Sequence, residues 1–349
     1  MRTMKAARLF GPLDLRPMDV PVPDLRPRDV LCHVVRSGVC GTDYAIYTGE
    51  FSFVKSGAVR FPMTPGHEWS GTVAEVGPEV TRFRPGDRVV GDTGVTCGQC
   101  PECLVGSDGN CPHAQAVGTI NAWDGAFAEY IVMPERHLFH LPDTVGFDAG
   151  AMVEPAATAL YSVAKAEVKP GDTVLVHGSG PIGLLASKLA KLSGAAKVII
   201  TGRREFKLNL ALSLGADAAI NTTAENLGDA AHRHAGANPI DKVIEASGSL
   251  DLLTQSLDLV KPNGIISAVA FYDRPVPAFD IDRLVASGIT LRGVAGSTGM
   301  YQPILKLMAS GALDVAPLIT ARYPFRAILD ALRSLGQNPE RRVKVMLEM

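Results

Sequence analysis

Residues 172–202, DTVLVHGSGPIGLLASKLAKLSGAAKVIITG, admit very few folds. The apolar, β-branched run TVLVH leads directly into a glycine turn. A stretch with apolar residues at helical spacing follows, and the second apolar run KVIITG closes the segment. A strand, a crossover helix and a second strand in so short a span make a βαβ unit, whose strands are parallel. Gly178, Gly180 and Gly183 stand in a G-x-G-x-x-G pattern between the strand and the helix. Backbone without side chains lets a pyrophosphate approach closely, and the helix N-terminus holds its charge. Pro181 and Ile182 open that helix, and a proline there gives up only an N–H that would have no helical partner. The alternative for these glycines is a tight turn with no ligand.

Beyond this unit the segments LALSLGADAAIN, PIDKVIEASG, LLTQSLDLVKPNGIISAVAF and GITLRGVAG continue the alternation of helix and strand, with apolar strands of the kind buried on both faces. The first 150 residues read differently. Short β-branched runs broken by Pro and Gly (DVLCHVV, SGTVAEVG, DRVVGD, FAEYIVM) predict antiparallel strands of a barrel-like domain. The last fifty residues read as mainly helical and end in a strand-like RRVKVMLEM. A chain of 349 residues has room for two domains. The expected division is 1–153 together with 296–349, and 154–295.

Four of the six cysteines, Cys97, Cys100, Cys103 and Cys111, fall in CGQCPECLVGSDGNC. The spacing C-x2-C-x2-C-x7-C lets one loop wrap four sulfurs around a tetrahedral ion, and a shell filled in this way has no place for substrate. A structural zinc is expected. The iron–sulfur alternative lacks either ferredoxin spacing, and four thiols this dense in a Gly- and Pro-rich loop have little other use. Three further segments carry metal-ligand types: Cys40 in GVCGTD, His67 and Glu68 in PGHEWSG, and Glu154 in MVEPAA. Singly, each reads as a buried cysteine, a loop histidine or a helix-start carboxylate.

Taken together, CGTD at 40–43, GHE at 66–68, the four-cysteine lobe, EPAATAL at 154–160 and GSGPIG at 178–183 resemble the zinc-dependent medium-chain dehydrogenases, the alcohol and polyol dehydrogenase superfamily, from end to end. The resemblance implies an α/β chain with a GroES-like β-barrel-type catalytic domain and a Rossmann domain, a doubly wound parallel sheet. It implies that Cys40 and His67 bind a catalytic zinc, that Glu68 and Glu154 bind it directly or through its water, and that Thr42 offers its hydroxyl to the substrate oxygen. Asp43 would fix His67 by accepting its other ring proton. Glu154 stands where alcohol dehydrogenases place a second cysteine, which resembles the sorbitol and threonine dehydrogenase branch. Where the family often has a relay histidine, this chain has Ala45.

The implied reaction interconverts a secondary alcohol and a ketone, with a polyol, sugar or cyclitol as substrate. Threonine or another hydroxy-acid derivative is the alternative, and a catalytically silent binding protein of the same fold is the non-enzymatic one. Zinc suits the chemistry because it lowers the pKa of bound water from about 15.7 to about 7, and it acts in kind on an alcohol. Tyr47, Phe51, Trp69, Trp123 and Arg292 are candidates for lining the pocket, with core packing the competing reading.

NAD sites place an acid about 20 residues beyond the glycine turn to hold the ribose 2′-hydroxyl. Here that position is Gly202, followed by Arg203, Arg204, Glu205 and, a turn later, Lys207. A glycine removes the repulsion that expels a 2′-phosphate, and guanidinium groups bind phosphate through charge-assisted hydrogen bonds. NADP(H) is therefore expected over NAD(H), and an acid at Gly202 is expected to move the preference toward NAD. The net charge of −2 and the absence of long like-charge runs argue against nucleic acid. No run of about 18 apolar residues offers a membrane span, and a cytoplasmic protein is expected. The strand near GITLRGVAG is expected to pair with its copy in a homodimer or homotetramer.

Overall fold

The computed structural model describes every residue except 1, 107, 122, 274, 276, 277, 338 and 339. It divides the chain into two compact units, Met1–Glu154 with Tyr301–Met349, and Pro155–Met300.

In the first unit the long strand Asp29–Val39 organises a seven-stranded sheet. It pairs antiparallel with Glu68–Val76, with Tyr130–Pro134 and with Lys344–Glu348. Arg88–Gly91 and Leu138–His140 extend the sheet beyond Glu68–Val76. The last fifty residues, expected to be mainly helical with a strand at their end, contain a further strand, Ile319–Pro324, which pairs in parallel with that terminal strand, Lys344–Glu348. Its sequence, ITARYP, has the β-branched and aromatic content of a strand, but it is short and sits between two helices, Tyr301–Ala309 and Ile328–Gln337. Val30, Cys32, Val34, Trp69, Val89, Ile131 and Leu138 fill one core of this unit. Each large apolar side chain fully withdrawn there contributes about 1.5–3 kcal/mol.

The second unit is a six-stranded, all-parallel sheet. From one edge to the other its strands are Ala218–Asn221, Lys197–Gly202, Thr173–His177, Ile240–Glu245, Val260–Ala268 and Thr290–Gly293. All five residues of Thr173–His177 are buried. Such a strand, covered on both faces, needs no polar alternation. Helix Pro181–Leu192 opens with proline and buries Leu184, Leu185, Ala186, Leu189 and Ala190. It ends at Ser193 and at Gly194, whose φ of 99° only glycine adopts readily. The chain winds outward from Thr173–His177 to Ala218–Asn221, then crosses back to lay Ile240–Glu245 beside Thr173–His177. Sheets of this kind bind ligands beyond the strand ends at that reversal. Among the described residues no helix is long and apolar enough to cross a membrane.

Candidate active site and metal clusters

Cys40 follows strand Asp29–Val39 directly and occupies the N-cap position of helix Gly41–Thr48. Three residues on, Asp43 turns its carboxylate back into the site. Its Oδ2 accepts from the Cys40 N–H at 2.8 Å, and its Oδ1 accepts from the Gly66 N–H at 3.2 Å. Gly66 has a φ of 96°, and a Cβ there would lie 2.5 Å from the Phe127 ring, so the turn carrying His67 needs glycine on both counts. His67 Nδ1 stands 3.4 Å from Asp43 Oδ1, near enough for electrostatic attraction but beyond a well-formed hydrogen bond. Burial lowers the His67 pKa, but Asp43 and then Cys40 more than reverse this, and it ends well above the ordinary value.

Glu68 opens strand Glu68–Val76 opposite Gly38. A Cβ on Gly38 would meet Glu68 Oε2 at 2.1 Å, so the carboxylate lies where any other residue would put a side chain. Lys344, the first residue of the last strand, reaches both Glu68 oxygens at 2.6 Å. The two side chains are only 3% and 1% exposed. Burial lowers the Lys344 pKa, yet Glu68, Cys40 and Glu154 raise it overall, so the lysine stays charged.

The ligand atoms of Cys40, His67 and Glu68 lie within 4.8 Å of one another. Glu154, at the start of helix Val153–Lys165, stands outside this group, and its Oε1 accepts from Thr93 Oγ1 at 3.3 Å. Thr42 is half-buried in the first turn of helix Gly41–Thr48, two residues past Cys40. Thiolate, imidazole and carboxylate, with one lysine unable to neutralise all the acids, suit a divalent cation. Three converging donors leave a tetrahedral ion a position for a further oxygen.

The second cluster has no such opening. The Sγ atoms of Cys97, Cys100, Cys103 and Cys111 also lie within 4.8 Å of one another. Cys97–Cys103 is 4.0 Å, Cys100–Cys111 3.8 Å and Cys97–Cys111 3.7 Å. Four sulfurs about 2.3 Å from one tetrahedral ion would be about 3.8 Å apart. The donor set and its spacing therefore fit zinc. Backbone N–H groups of Gln99 and then Cys100 pull the Cys97 thiol down to about 6.

In the other unit the glycines have distinct work. Gly178 has a φ of 98°, and a Cβ on Gly183 would lie 1.8 Å from Gly178 O, which forbids any side chain where helix meets strand. Nothing lies within 4 Å of the Cβ position at Gly180, the N-cap of helix Pro181–Leu192, which leaves room for a phosphate group. Pro181 and Ile182 form the half-buried first turn. Gly202 ends strand Lys197–Gly202 and is buried, whereas Arg203 and Arg204 are exposed and Lys207 half-buried. Arg203 forms no ion pair among the described residues, and Arg204 caps helix Glu205–Ser213. Glu205, the acid that follows them in the chain, accepts from Asn221 Nδ2 at 2.6 Å.

Sequence reasoning missed one residue of the site. Lys344 carried a signal, a lysine inside the apolar run VKVML. The pocket-lining candidates belong elsewhere: Tyr47, Phe51 and Trp69 are core residues. Trp123 packs on that core and donates to Val132 O at 3.0 Å, and Arg292 binds Lys165 O at 3.0 Å and Glu167 at 2.6 Å.

Residues 26–143 match the alcohol dehydrogenase GroES-like domain model, and residues 181–310 match the zinc-binding dehydrogenase model. The chain is 35% identical over 321 residues to L-threonine 3-dehydrogenase of Anaeromyxobacter dehalogenans, covering 90% of this chain and 91% of that protein. It is 30% identical over 346 residues to sorbitol dehydrogenase of Bacillus subtilis, covering 99% and 97%. A crystal structure of a zinc-binding dehydrogenase from Sinorhizobium meliloti bound to NADP superposes with a TM-score of 0.89 at 32% identity, covering all of both chains. The chain accordingly belongs to the zinc-dependent medium-chain dehydrogenases, in the threonine and sorbitol dehydrogenase branch, and is an NAD(P)-dependent alcohol dehydrogenase.

Proposed function

We propose that this enzyme interconverts a secondary alcohol and its ketone with NADP(H), on a polyol, sugar or cyclitol, and carries two zinc ions per chain. The observation that carries the chemistry is the open donor set of half-buried Cys40 with buried His67 and Glu68, with Glu154 as a further carboxylate. A zinc ion held there would acidify a substrate hydroxyl and polarise a carbonyl. Asp43 orients Cys40 and His67, and Lys344 holds the Glu68 carboxylate in place. Thr42 takes the hydroxyl proton. With Ala45 at the relay position, water rather than a side chain at 45 passes that proton outward. Cys97, Cys100, Cys103 and Cys111 hold the second ion, which fixes the lobe.

The turn Gly178–Gly183 and the N-terminus of helix Pro181–Leu192 hold the pyrophosphate. Gly202, Arg203, Arg204 and Lys207 receive the 2′-phosphate. The NADP-bound neighbour supports this reading, as does the engagement of Glu205 by Asn221. Arg203→Ala should raise KM for NADP several-fold to about tenfold and leave that for NAD nearly unchanged. Equal use of both cofactors by the wild-type enzyme overturns the preference.

Identity to L-threonine 3-dehydrogenase favours a second substrate reading, a hydroxy-amino acid. Reduced-cofactor absorbance with a panel of polyols, sugars, cyclitols and threonine separates the two. The strand Thr290–Gly293 lies at a sheet edge, with Leu291 exposed on it and Ile281 and Val285 exposed on helix Ile281–Ala286. This edge pairs with its copy in a homodimer or within a homotetramer. A monomeric mass in light scattering excludes the assembly. Thiolate clusters of this kind belong to a reducing compartment, the cytoplasm.

A further inference from the structure

Two strands flank the reversal of the parallel sheet, Thr173–His177 and Ile240–Glu245, and each ends in a turn followed by a helix. The two turns touch through their backbones. The Ala246 N–H donates to His177 O at 2.9 Å, and a Cβ on Gly178 would lie 2.9 Å from Ala246 O, Ser247 Cα and Ser247 N. The shape of the glycine turn therefore depends on where residues 246–248 sit.

A carboxylate fixes those residues. Glu245 is fully buried, and a charge in such a place persists only where hydrogen bonds satisfy it. Its Oε1 accepts from the Ser247 N–H at 2.8 Å and from the Ser247 hydroxyl. Its Oε2 accepts from the Gly248 N–H at 3.4 Å and from the Tyr272 phenol at 2.5 Å. The N–H groups of 247 and 248 are thus spent inside the protein, and the pyrophosphate has the glycine turn and helix Pro181–Leu192 to itself. Among these donors only Tyr272 comes from outside the turn. It lies on the segment leaving strand Val260–Ala268, which comes back over the same place. There the Val269 N–H donates to Glu245 O at 2.9 Å, and a Cβ on Gly248 would lie 3.0 Å from Phe271 O. Burial, and then Glu245, raise the Tyr272 pKa well above the ordinary phenol value, so the hydroxyl keeps its proton and stays a donor.

We infer that Tyr272 and Glu245 are positioning residues for the dinucleotide: the phenol holds the buried carboxylate, the carboxylate holds residues 246–248, and these hold the glycine turn in the shape that receives the pyrophosphate. The inference rests on the turn Gly178–Gly183 as the pyrophosphate site. It is independent of the NADP preference, because NAD and NADP share the pyrophosphate.

The test is calorimetric binding of NADP and of NAD, with steady-state kinetics of the zinc-loaded enzyme. Phenylalanine fills the same space, so Tyr272→Phe removes only the hydroxyl. It should weaken NADP and NAD by the same factor, about three- to tenfold. The cofactor KM should rise to match, with kcat within about twofold of the wild type. Glu245→Gln keeps the shape and weakens the same bonds, so it should act likewise. In its background Tyr272→Phe should add little, because both changes act through one contact. Gly180→Asp, which sets an acid in the open space of the glycine turn, should abolish binding of both cofactors. Unchanged affinity in Tyr272→Phe, a loss confined to one cofactor, or a fall in kcat at unchanged KM overturns the inference. Losses that multiply in the double variant overturn the route through Glu245. Gly180→Asp that still binds both cofactors overturns the pyrophosphate reading itself, whereas its failure to bind beside normal binding by Tyr272→Phe overturns the positioning alone.

Discussion

The four sulfurs of the lobe come from one loop of fifteen residues, whereas Cys40, His67 and Glu68 come from the ends of two neighbouring strands and are braced by Lys344, which lies 276 residues beyond Glu68. The lobe has identical donors, and its Cys97 and Cys100 are only half-buried. The other cluster has three donor types, all but Cys40 buried, with Asp43 and Lys344 packed against them. The difference lies in what holds the donors. Four thiolates brought together repel one another, and only an ion at their centre makes that loop stable. Cys40, His67 and Glu68 are placed by backbone pairing, by two N–H bonds to Asp43 and by a buried ion pair, all of which exist without metal. A scaffold that is set before its ion arrives can leave a position open for substrate.

The largest expected effect follows directly. Cys40→Ala and His67→Ala should each lower turnover by about three orders of magnitude or more, because an aliphatic hydroxyl does not ionise at neutral pH without the cation. Zinc should fall by one ion per chain, with melting temperature and cofactor binding close to wild type. Cys100→Ala should also lose one zinc, but with the opposite pattern: a clearly lower melting temperature and protease cleavage within residues 97–111, with turnover largely retained at low temperature. If Cys40→Ala unfolds the protein, or Cys100→Ala abolishes turnover in a folded one, the distinction between the clusters fails. Elemental analysis with melting curves decides it.

Lys344 supplies the next test. Removing one partner of a buried ion pair leaves a charge without compensation and costs about 3–5 kcal/mol. Lys344→Met should show that loss in urea unfolding, and Lys344→Met with Glu68→Gln should recover most of it, since neither charge is then buried alone. The loss should be greater in zinc-stripped protein, where no cation is present to offset Glu68. A Lys344→Met protein as stable as the wild type would mean that the pair does not brace the site.

The same contrast explains what could be read in advance. The lobe is a contiguous pattern, so its residues and their spacing carried the geometry with no fold required. The parallel sheet was legible for a similar reason: TVLVH, the glycine turn and the helix that follows are local signals. Cys40, His67 and Glu68 gained meaning only from resemblance, because strand pairing joins them and no short-range pattern records the register of Gly38 on Glu68. Lys344 showed itself as a charge inside an apolar strand, but its partner could not be named from the sequence. The strand Ile319–Pro324 was hidden between two helices. The aromatic candidates went to the core because a large apolar side chain beside a site and one within a barrel look alike in sequence.

The smallest expected effect is the sharpest, because it concerns a residue with no counterpart in the lobe. Asp43 is 1% exposed and uses both oxygens as acceptors, one for the Cys40 N–H and one for the Gly66 N–H, with His67 Nδ1 beside the latter. Asparagine keeps the shape but has a single acceptor oxygen, so its amide N–H2 must face either the Cys40 N–H or the Gly66 N–H with His67 beside it. One buried donor then loses its partner, and the imidazole loses the anion that sets its orientation. Partners of this kind typically change metal affinity about 10- to 100-fold. Asp43→Asn should lower zinc affinity at the Cys40 site by that factor in a chelator competition, leave the lobe zinc untouched, and regain turnover when zinc is added. Unchanged affinity, or a loss shared equally by both zinc ions, would mean that Asp43 shapes the fold and not the metal site.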